Sequence, residues 1–150
     1  MPDLDGLALQ QALVANGIER PVIFLTGRGD IPTTVRAMKA GAVDFLTKPV
    51  DSEALLAAID NARERESRER EARAEMEFFI ARLATLTPRE REVFGHVISG
   101  RLNKQIAYAL GTVEKTIKVH RSRMMEKMGV RSLAELVRLA ERAGIEARHY

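Results

Sequence analysis

The feature that most constrains this chain is the alternation of helix starts and helix stops between residues 87 and 143. Thr87 and Glu90 have the spacing of a capping box, and Pro88 suits the first turn of the helix that follows. Three further residues of the capping type are predicted to begin the next helices: Asn103, Thr112 and Ser132. A glycine is predicted to end each of the first three helices: Gly100, Gly111 and Gly129. The segment therefore predicts four short helices.

The middle two helices have the proportions of a helix-turn-helix motif. A short helix is followed by a tight turn at Gly111 and then by a longer, basic helix. The second helix of such a pair enters the major groove of DNA. Its residues Ile117, Met124 and Met128 recur at helical spacing and are predicted to face the core. An ordinary helical bundle with a solvated basic face has the same spacing, so the pattern alone leaves both interpretations open.

Basic side chains are concentrated in the same segment. Residues 86–150 carry thirteen basic and seven acidic side chains, a surplus of six, whereas residues 1–50 carry five of each. A surplus of cations on one segment favours binding to the phosphates of nucleic acid.

Composition excludes several classes of protein. The sequence has no cysteine, which rules out disulfides and thiolate metal sites. No apolar run approaches the roughly 20 residues of a membrane span, and no signal peptide is visible. A cytoplasmic protein without membrane partners is the expectation.

The first third of the chain alternates between helix and strand patterns, which is typical of an α/β fold. Helices are predicted over 6–17 and 30–40, the second capped by Asp30, and a short strand is predicted over 44–48. The apolar run 22–26 predicts a strand buried on both faces, as in a parallel sheet. Three residues are predicted to form the apolar face of the first helix: Leu9, Ala12 and Leu13.

Residues 52–85 predict one long helix that joins the two halves. Leu55, Leu56 and Ile59 are expected to pack on the first third of the chain. The stretch 63–71 alternates arginine and glutamate. A continuous coiled coil is excluded because the heptad would place charged residues at core positions: Glu66, Glu69 and Arg73. A solvated, semi-rigid spacer is the interpretation that fits.

Residues 86–150 resemble the DNA-binding domain of the LuxR/FixJ class of bacterial transcription regulators. The matching stretches are Leu86–Val93, Asn103–Ala107, Thr116–His120 and Lys127–Met128. The resemblance implies that three residues face base edges: Lys118, Val119 and Ser122. It implies that three others lie near phosphates: Lys104, Thr116 and Arg121.

Residues 1–51 resemble the C-terminal half of a response-regulator receiver domain. Met1–Gly6 matches the loop after the phosphoacceptor strand, and Thr26 matches the hydroxyl residue that ends the next strand. Phe45 lies at the aromatic switch position, and Lys48 and Pro49 match the active-site pair. The resemblance implies that Thr26 and Lys48 contact a phosphoryl group and that the Lys48–Pro49 bond is cis.

The resemblance also places the phosphoacceptor aspartate and the acidic magnesium-binding pair upstream of Met1. We therefore expect an N-terminally truncated receiver, an incomplete magnesium site, no cofactor and no phosphorylation by the family's route. The uncovered apolar run 22–25 is expected to self-associate or to remain partly molten.

The predicted architecture has three parts. Residues 1–51 form an α/β receiver remnant, the C-terminal half of a doubly wound domain. Residues 52–85 form a linker helix whose start completes the receiver. Residues 86–150 form an all-α, four-helix helix-turn-helix domain.

The resemblance implies a non-enzymatic, sequence-specific DNA-binding transcription regulator of a two-component phosphorelay. Its expected partners are double-stranded promoter DNA, a second copy in a homodimer, and a sensor kinase or RNA polymerase. The alternative is an interaction protein that forms mixed dimers with intact response regulators. A sigma-factor region has a similar helix-turn-helix, but the strands predicted within 20–50 argue against it.

Overall fold

The computed structural model describes residues 5–27 and 31–146. Tertiary contacts divide the chain into two compact units, Met1–Glu71 and Ala72–Tyr150. We call them the α/β unit and the helical unit. The division falls inside the helix predicted over 52–85. The predicted cap Asp30 and most of the loop at Met1–Gly6 lie outside the described residues.

The α/β unit is built on a pair of parallel strands. Helix α1 (Gly6–Ala15) precedes strand β1 (Ile23–Thr26), and helix α2 (Ile31–Lys39) precedes strand β2 (Asp44–Thr47). The strands pair in parallel, with Ile23 opposite Asp44 and Thr26 opposite Thr47. The predicted alternation of helix and strand is thus confirmed, and so is the α/β class of this unit.

A small core joins α1, α2 and the two strands. Leu7, Ala37 and Ala42 are buried in it, and the rings of Phe24 and Phe45 stack against it with centroids 6.1 Å apart. The strand at 22–26 is not buried on both faces as predicted, because Leu25 is 46% exposed. In the described part of the sheet each strand has one neighbour, so part of β1 stays uncovered.

The apolar face predicted for α1 is partly wrong, since of its three residues only Leu13 is half-buried. Leu9 and Ala12 are exposed, whereas Leu7 and Gln10 are buried. The amide Nε2 of Gln10 donates to the backbone oxygen of Ala40 at 3.0 Å, just beyond the end of α2. A polar residue therefore takes the inner position because the terminal carbonyls of a helix need donors.

Helix α3 (Ser52–Ala84) runs through the division between the units, as the single helix predicted for this segment. Asp51 caps it, since its carboxylate accepts from the N–H of Ala54 at 2.9 Å. The predicted packing face is partly wrong. Ala58 and Ala62 are buried and Leu55 is half-buried, whereas Leu56 and Ile59 are exposed. Residues 55, 58 and 62 share one helix face, and the two exposed residues lie off it.

The helical unit contains the end of α3 and four further helices: α4 (Pro88–Ile98), α5 (Asn103–Ala109), α6 (Glu114–Met128) and α7 (Leu133–Arg142). The predicted core residues Ile117, Met124 and Met128 are all buried, which confirms that prediction. The same core takes in Phe79 of α3, which is 2% exposed. The last turns of the linker helix are therefore part of this unit. Among the helices described, none is both long and apolar enough to cross a membrane.

Two of the four predicted helix caps are present. Thr87 and Glu90 form the capping box, with the N–H of Thr87 donating to Glu90 Oε2 at 2.9 Å. The hydroxyl of Ser132 accepts from the N–H of Glu135 at 3.1 Å.

The predicted caps Asn103 and Thr112 are wrong by one residue in each case. Helix α5 begins after Leu102, whose N–H donates to the Gln105 side chain at 2.8 Å. Helix α6 begins after Val113, whose aliphatic side chain offers no acceptor to the first turn. In both helices the polar residue that was predicted to be the cap lies next to the residue that occupies the cap position.

Val113→Ser should therefore stabilise the helical unit. Val113 has extended backbone angles (φ −98°, ψ 152°), which suit a cap, and its side chain is exposed. A serine hydroxyl there can accept from the first turn of α6, which adds about 1 kcal/mol to the free energy of unfolding. Urea unfolding followed by circular dichroism measures the gain.

Val113→Ala is the matched control, because it removes the β-branched side chain without adding an acceptor. Equal stability of the serine and alanine variants would contradict the assignment of Val113 as the cap of α6.

Candidate nucleic-acid interface

The turn between α5 and α6 is closed by backbone geometry. Gly111 has φ +62°, a left-handed conformation that favours glycine. The N–H of Thr112 donates to the backbone oxygen of Ala107 at 2.9 Å, which satisfies a carbonyl in the last turn of α5. Ile106 of α5 and Ile117 of α6 are fully buried on either side of this turn. The two helices therefore form the predicted helix-turn-helix, with α6 as its second helix.

The outer face of α6 presents a stripe of three polar side chains and one valine. Lys115, Lys118, Val119 and Ser122 are all exposed, and they share one face because 118 and 119 lie three and four residues after 115 and four and three residues before 122. We call these four residues the recognition stripe. The three residues predicted to face bases thus lie together, on the side opposite the buried Ile117. Lys115 lies on the same face and was not among the residues predicted to face bases, although its helical spacing could have identified it.

The three residues predicted to lie near phosphates differ in their surroundings. Lys104 is exposed on α5, whereas Thr116 and Arg121 are half-buried on α6. Nη1 of Arg121 donates to Oδ1 of Asn103 at 3.0 Å. This bond links the start of α5 to the middle of α6, so Arg121 fixes the two helices against each other.

The receiver-like residues lie in the α/β unit. Thr26 ends β1, and the N–H of Lys48 donates to the backbone oxygen of Thr26 at 2.6 Å. The structure therefore brings Thr26 and Lys48 to the carboxyl edge of the parallel pair. Phe45 lies within β2, stacked on Phe24, and the Lys48–Pro49 bond is cis as the resemblance implied. Across residues 5–27 and 31–146, no three His, Cys, Asp or Glu side chains are grouped so as to hold a metal ion.

An ion pair between a buried carboxylate and a half-buried lysine joins the start of α4 to the end of α6. Glu90, 3% exposed at the start of α4, pairs with Nζ of Lys127 in the last turn of α6 at 2.7 Å. The hydrogen bond from Lys127 and that from the backbone of Thr87 hold the pKa of Glu90 below its usual value of 4.5. The sequence interpretation found the capping box but missed the ion pair of Glu90 with Lys127, because the two residues lie 37 positions apart.

His96 is a second buried titratable group of the helical unit. Its side chain lies in α4 and is 4% exposed. Burial and the nearby charge of Arg101 lower the pKa of His96, against a smaller opposing effect of Glu92. His96 therefore belongs to the interior in its neutral form.

Comparisons with known proteins match both units. Residues 84–140 match the family model of bacterial regulatory proteins of the luxR family. Residues 1–60 match the family model of the response regulator receiver domain.

Several characterised proteins are similar over almost the whole chain. Nodulation protein W of Bradyrhizobium diazoefficiens is 48% identical over 149 residues, which cover 99% of this chain and 66% of that protein. Transcriptional regulatory protein FixJ of the same organism is 43% identical over 145 residues, which cover 97% of this chain and 71% of that protein. The solved structure of response regulator StyR matches with a TM-score of 0.75 and 46% sequence identity. The match covers 95% of this chain and 72% of the StyR chain. The chain spans about two thirds of the length of the curated relatives it matches.

Acid should destabilise the helical unit in two stages. The unfolded chain protonates His96 near its ordinary pKa of 6.5, and the folded chain does so only at lower pH. The free energy of unfolding therefore decreases as the pH falls below about 6.5. The stabilisation from ionised Glu90 is complete above its ordinary pKa of 4.5 and is lost as the pH falls through its lowered folded pKa.

Urea unfolding measured between pH 8 and pH 2 separates the stages. His96→Gln should flatten the dependence below pH 6.5 and leave the lower stage in place, since glutamine does not titrate. A pH dependence of unfolding that is identical in wild type and variant would contradict the buried, neutral state of His96.

Proposed function

Since the chain belongs to the family of response regulators that includes FixJ, we propose that it is a sequence-specific DNA-binding transcription regulator of a two-component system. The observation that carries the proposal is the recognition stripe on α6. Its lysines, hydroxyl and short apolar side chain project from the second helix of a helix-turn-helix. A helix with such a face suits the major groove, where bases offer hydrogen-bond acceptors and methyl groups.

The proposed base-facing residues have distinct chemistry. Lys118 donates to the acceptors N7 and O6 of guanine, and Val119 packs on a thymine methyl group. The Ser122 hydroxyl donates or accepts according to the base. In the free protein, Nζ of Lys118 lies 3.4 Å from Oε1 of Glu114, and both side chains are exposed. Binding therefore replaces this ion pair by a contact between Lys118 and DNA.

The proposed phosphate contacts are Lys104, Thr116 and Arg121, which flank the stripe on α5 and α6. Such contacts fix orientation without reading sequence. One N–H of Arg121 is used by Asn103, and a guanidinium carries further donors that can reach a phosphate. Arg121 is thus proposed to hold α5 and α6 against each other and also to contact a DNA phosphate.

The α/β unit is proposed to contribute regulation through its receiver-like edge. Thr26 and Lys48 supply a hydroxyl and an ammonium group, which suit contacts with a phosphoryl group, and Phe45 is proposed as the switch residue. Aspartyl-phosphate chemistry also needs a carboxylate nucleophile and a metal cation. Thr26 and Lys48 supply neither of these. We predict that the polypeptide of residues 1–150 binds DNA without a phosphodonor.

The proposed mode of binding is dimeric. Helix-turn-helix dimers contact two half-sites about 10 base pairs apart, or a multiple of that spacing. We propose that this chain regulates transcription, as the name of its relative FixJ states for that protein.

A DNA titration of the 150-residue chain at two salt concentrations tests the proposal. We expect selective binding to promoter fragments over random duplex, with no effect of a phosphodonor. Weak and equally salt-sensitive binding to every duplex would contradict sequence-specific recognition by this chain.

Two substitutions separate base contacts from phosphate contacts. Lys118→Ala should relax the preference for the selected sequence, because it removes a proposed base contact. Lys104→Ala should weaken binding to all duplexes and reduce the salt slope by about one. If both variants lost affinity in the same pattern, the assignment of the two helix faces would be wrong.

A further inference from the structure

Two arginines from outside the helix-turn-helix hold the carboxyl-terminal ends of its two helices. Nη2 of Arg89, on α4, donates to the backbone oxygen of Leu110 at 2.8 Å, at the end of α5. Nη1 of Arg82, on α3, donates to the backbone oxygen of Lys127 at 3.2 Å, in the last turn of α6. The last carbonyls of a helix have no partner within the helix and carry its negative dipole end, so a guanidinium is a well-matched donor.

Each guanidinium is itself fixed by further contacts. Nη1 of Arg89 pairs with Glu92, also on α4, at 2.9 Å, while Nη2 holds the end of α5. The guanidinium of Arg89 therefore joins α4 to the end of α5. The guanidinium carbon of Arg82 lies 4.3 Å from the centroid of the Phe78 ring. It also lies against Gly129, where an added Cβ would collide with it. Gly129 has φ +65° and ends α6. Both arginines are therefore held, and are not free surface cations.

The two acceptors bracket α6. Leu110 comes directly before the turn at 111–113 that leads into α6, and Lys127 lies in the last turn of that helix, so one anchored carbonyl precedes α6 and the other lies at its end. Base readout requires side chains placed within fractions of an ångström, which depends on residues that hold the supporting backbone.

We propose that Arg82 and Arg89 are positioning residues for DNA recognition, which set the placement of the recognition stripe without contacting bases. This inference rests on the proposed function of that stripe. Arg82 belongs to the last turns of α3, so the linker helix takes part in positioning α6.

Arg91 provides a matched control. It lies on α4 two positions after Arg89, and its Nη2 donates to the backbone oxygen of Leu83 at 2.9 Å. That acceptor belongs to the end of α3 and not to the helix-turn-helix. Replacing Arg91 removes the same charge and the same kind of bond, so a different outcome reports the position of the acceptor.

The experiment compares Arg82→Ala, Arg89→Ala and Arg91→Ala in the 150-residue chain. The probes are a duplex selected for tight binding from a random pool and a shuffled duplex of equal length. We expect the ratio of the two affinities to fall at least about fivefold for Arg82→Ala and Arg89→Ala, the effect of losing one base contact. For Arg91→Ala we expect a change below about twofold, as for a surface substitution.

Salt dependence distinguishes positioning from direct contact. A positioning role leaves the salt slope on the shuffled duplex unchanged. A direct phosphate contact would weaken both duplexes alike and reduce the slope by about one, and that result would overturn the proposal. Equal effects of all three variants would overturn it as well.

Folding of each variant is checked by circular dichroism and thermal melting before titration. If an alanine variant does not fold, Arg82→Lys or Arg89→Lys replaces it, because lysine keeps the charge and loses the planar fork. The affinity ratio should still fall. Wild-type protein with no preference for the selected duplex would refute the proposed function itself, before any variant is compared.

Discussion

The carboxylate of Glu90 is buried where α4 meets α6, and it accepts hydrogen bonds from both sides. The backbone N–H of Thr87 reaches it at 2.9 Å and the ammonium of Lys127 at 2.7 Å. A buried charge is tolerated only when it is paired and hydrogen-bonded, so the two partners are conditions for the fold and not additions to it. Lys127 in turn offers its backbone oxygen to Arg82. One connected polar network therefore runs from α3 through α6 to the start of α4.

This network explains how a short motif can present a precise surface. The inner face of α6 is held by a packed core that includes Ile106, Met124 and Leu136, all fully buried. Its terminal residues are held by polar contacts from neighbouring helices. With one side packed and both ends fixed, the outer side is left for the recognition stripe. Ion pairs from Glu75 of α3 to Arg138 and Arg142 of α7 extend the same framework to the last helix.

Sequence reasoning succeeded where the information is local or periodic. The spacing of Ile117, Met124 and Met128 identified the buried side of α6, because a helix repeats its inner face at intervals of three to four residues. The Thr87–Glu90 capping box was visible because both partners lie within one turn. Caps at Asn103 and Thr112 failed by one residue, since the residues at the true cap positions, Leu102 and Val113, are apolar and give no capping signal.

The remaining features depend on contacts between distant residues. Lys127 reaches Glu90 across 37 positions, and Arg89 reaches a carbonyl at Leu110. Gln10 fills an inner position because α2 presents a carbonyl there, which no hydrophobic pattern reports. Phe79 lies in the core of the helical unit, because the linker helix ends inside that unit. Lys115 is recognised as part of the recognition stripe only when the exposed residues of α6 are known.

Amide chemical-shift mapping of the 150-residue chain upon addition of a selected DNA duplex tests the central claim most directly. Recognition by α6 predicts the largest shift changes at Lys115, Lys118, Val119 and Ser122, with Lys104 next on α5. A map in which α6 is unchanged, and the shifts instead concentrate on α7 or in the α/β unit, would contradict the account.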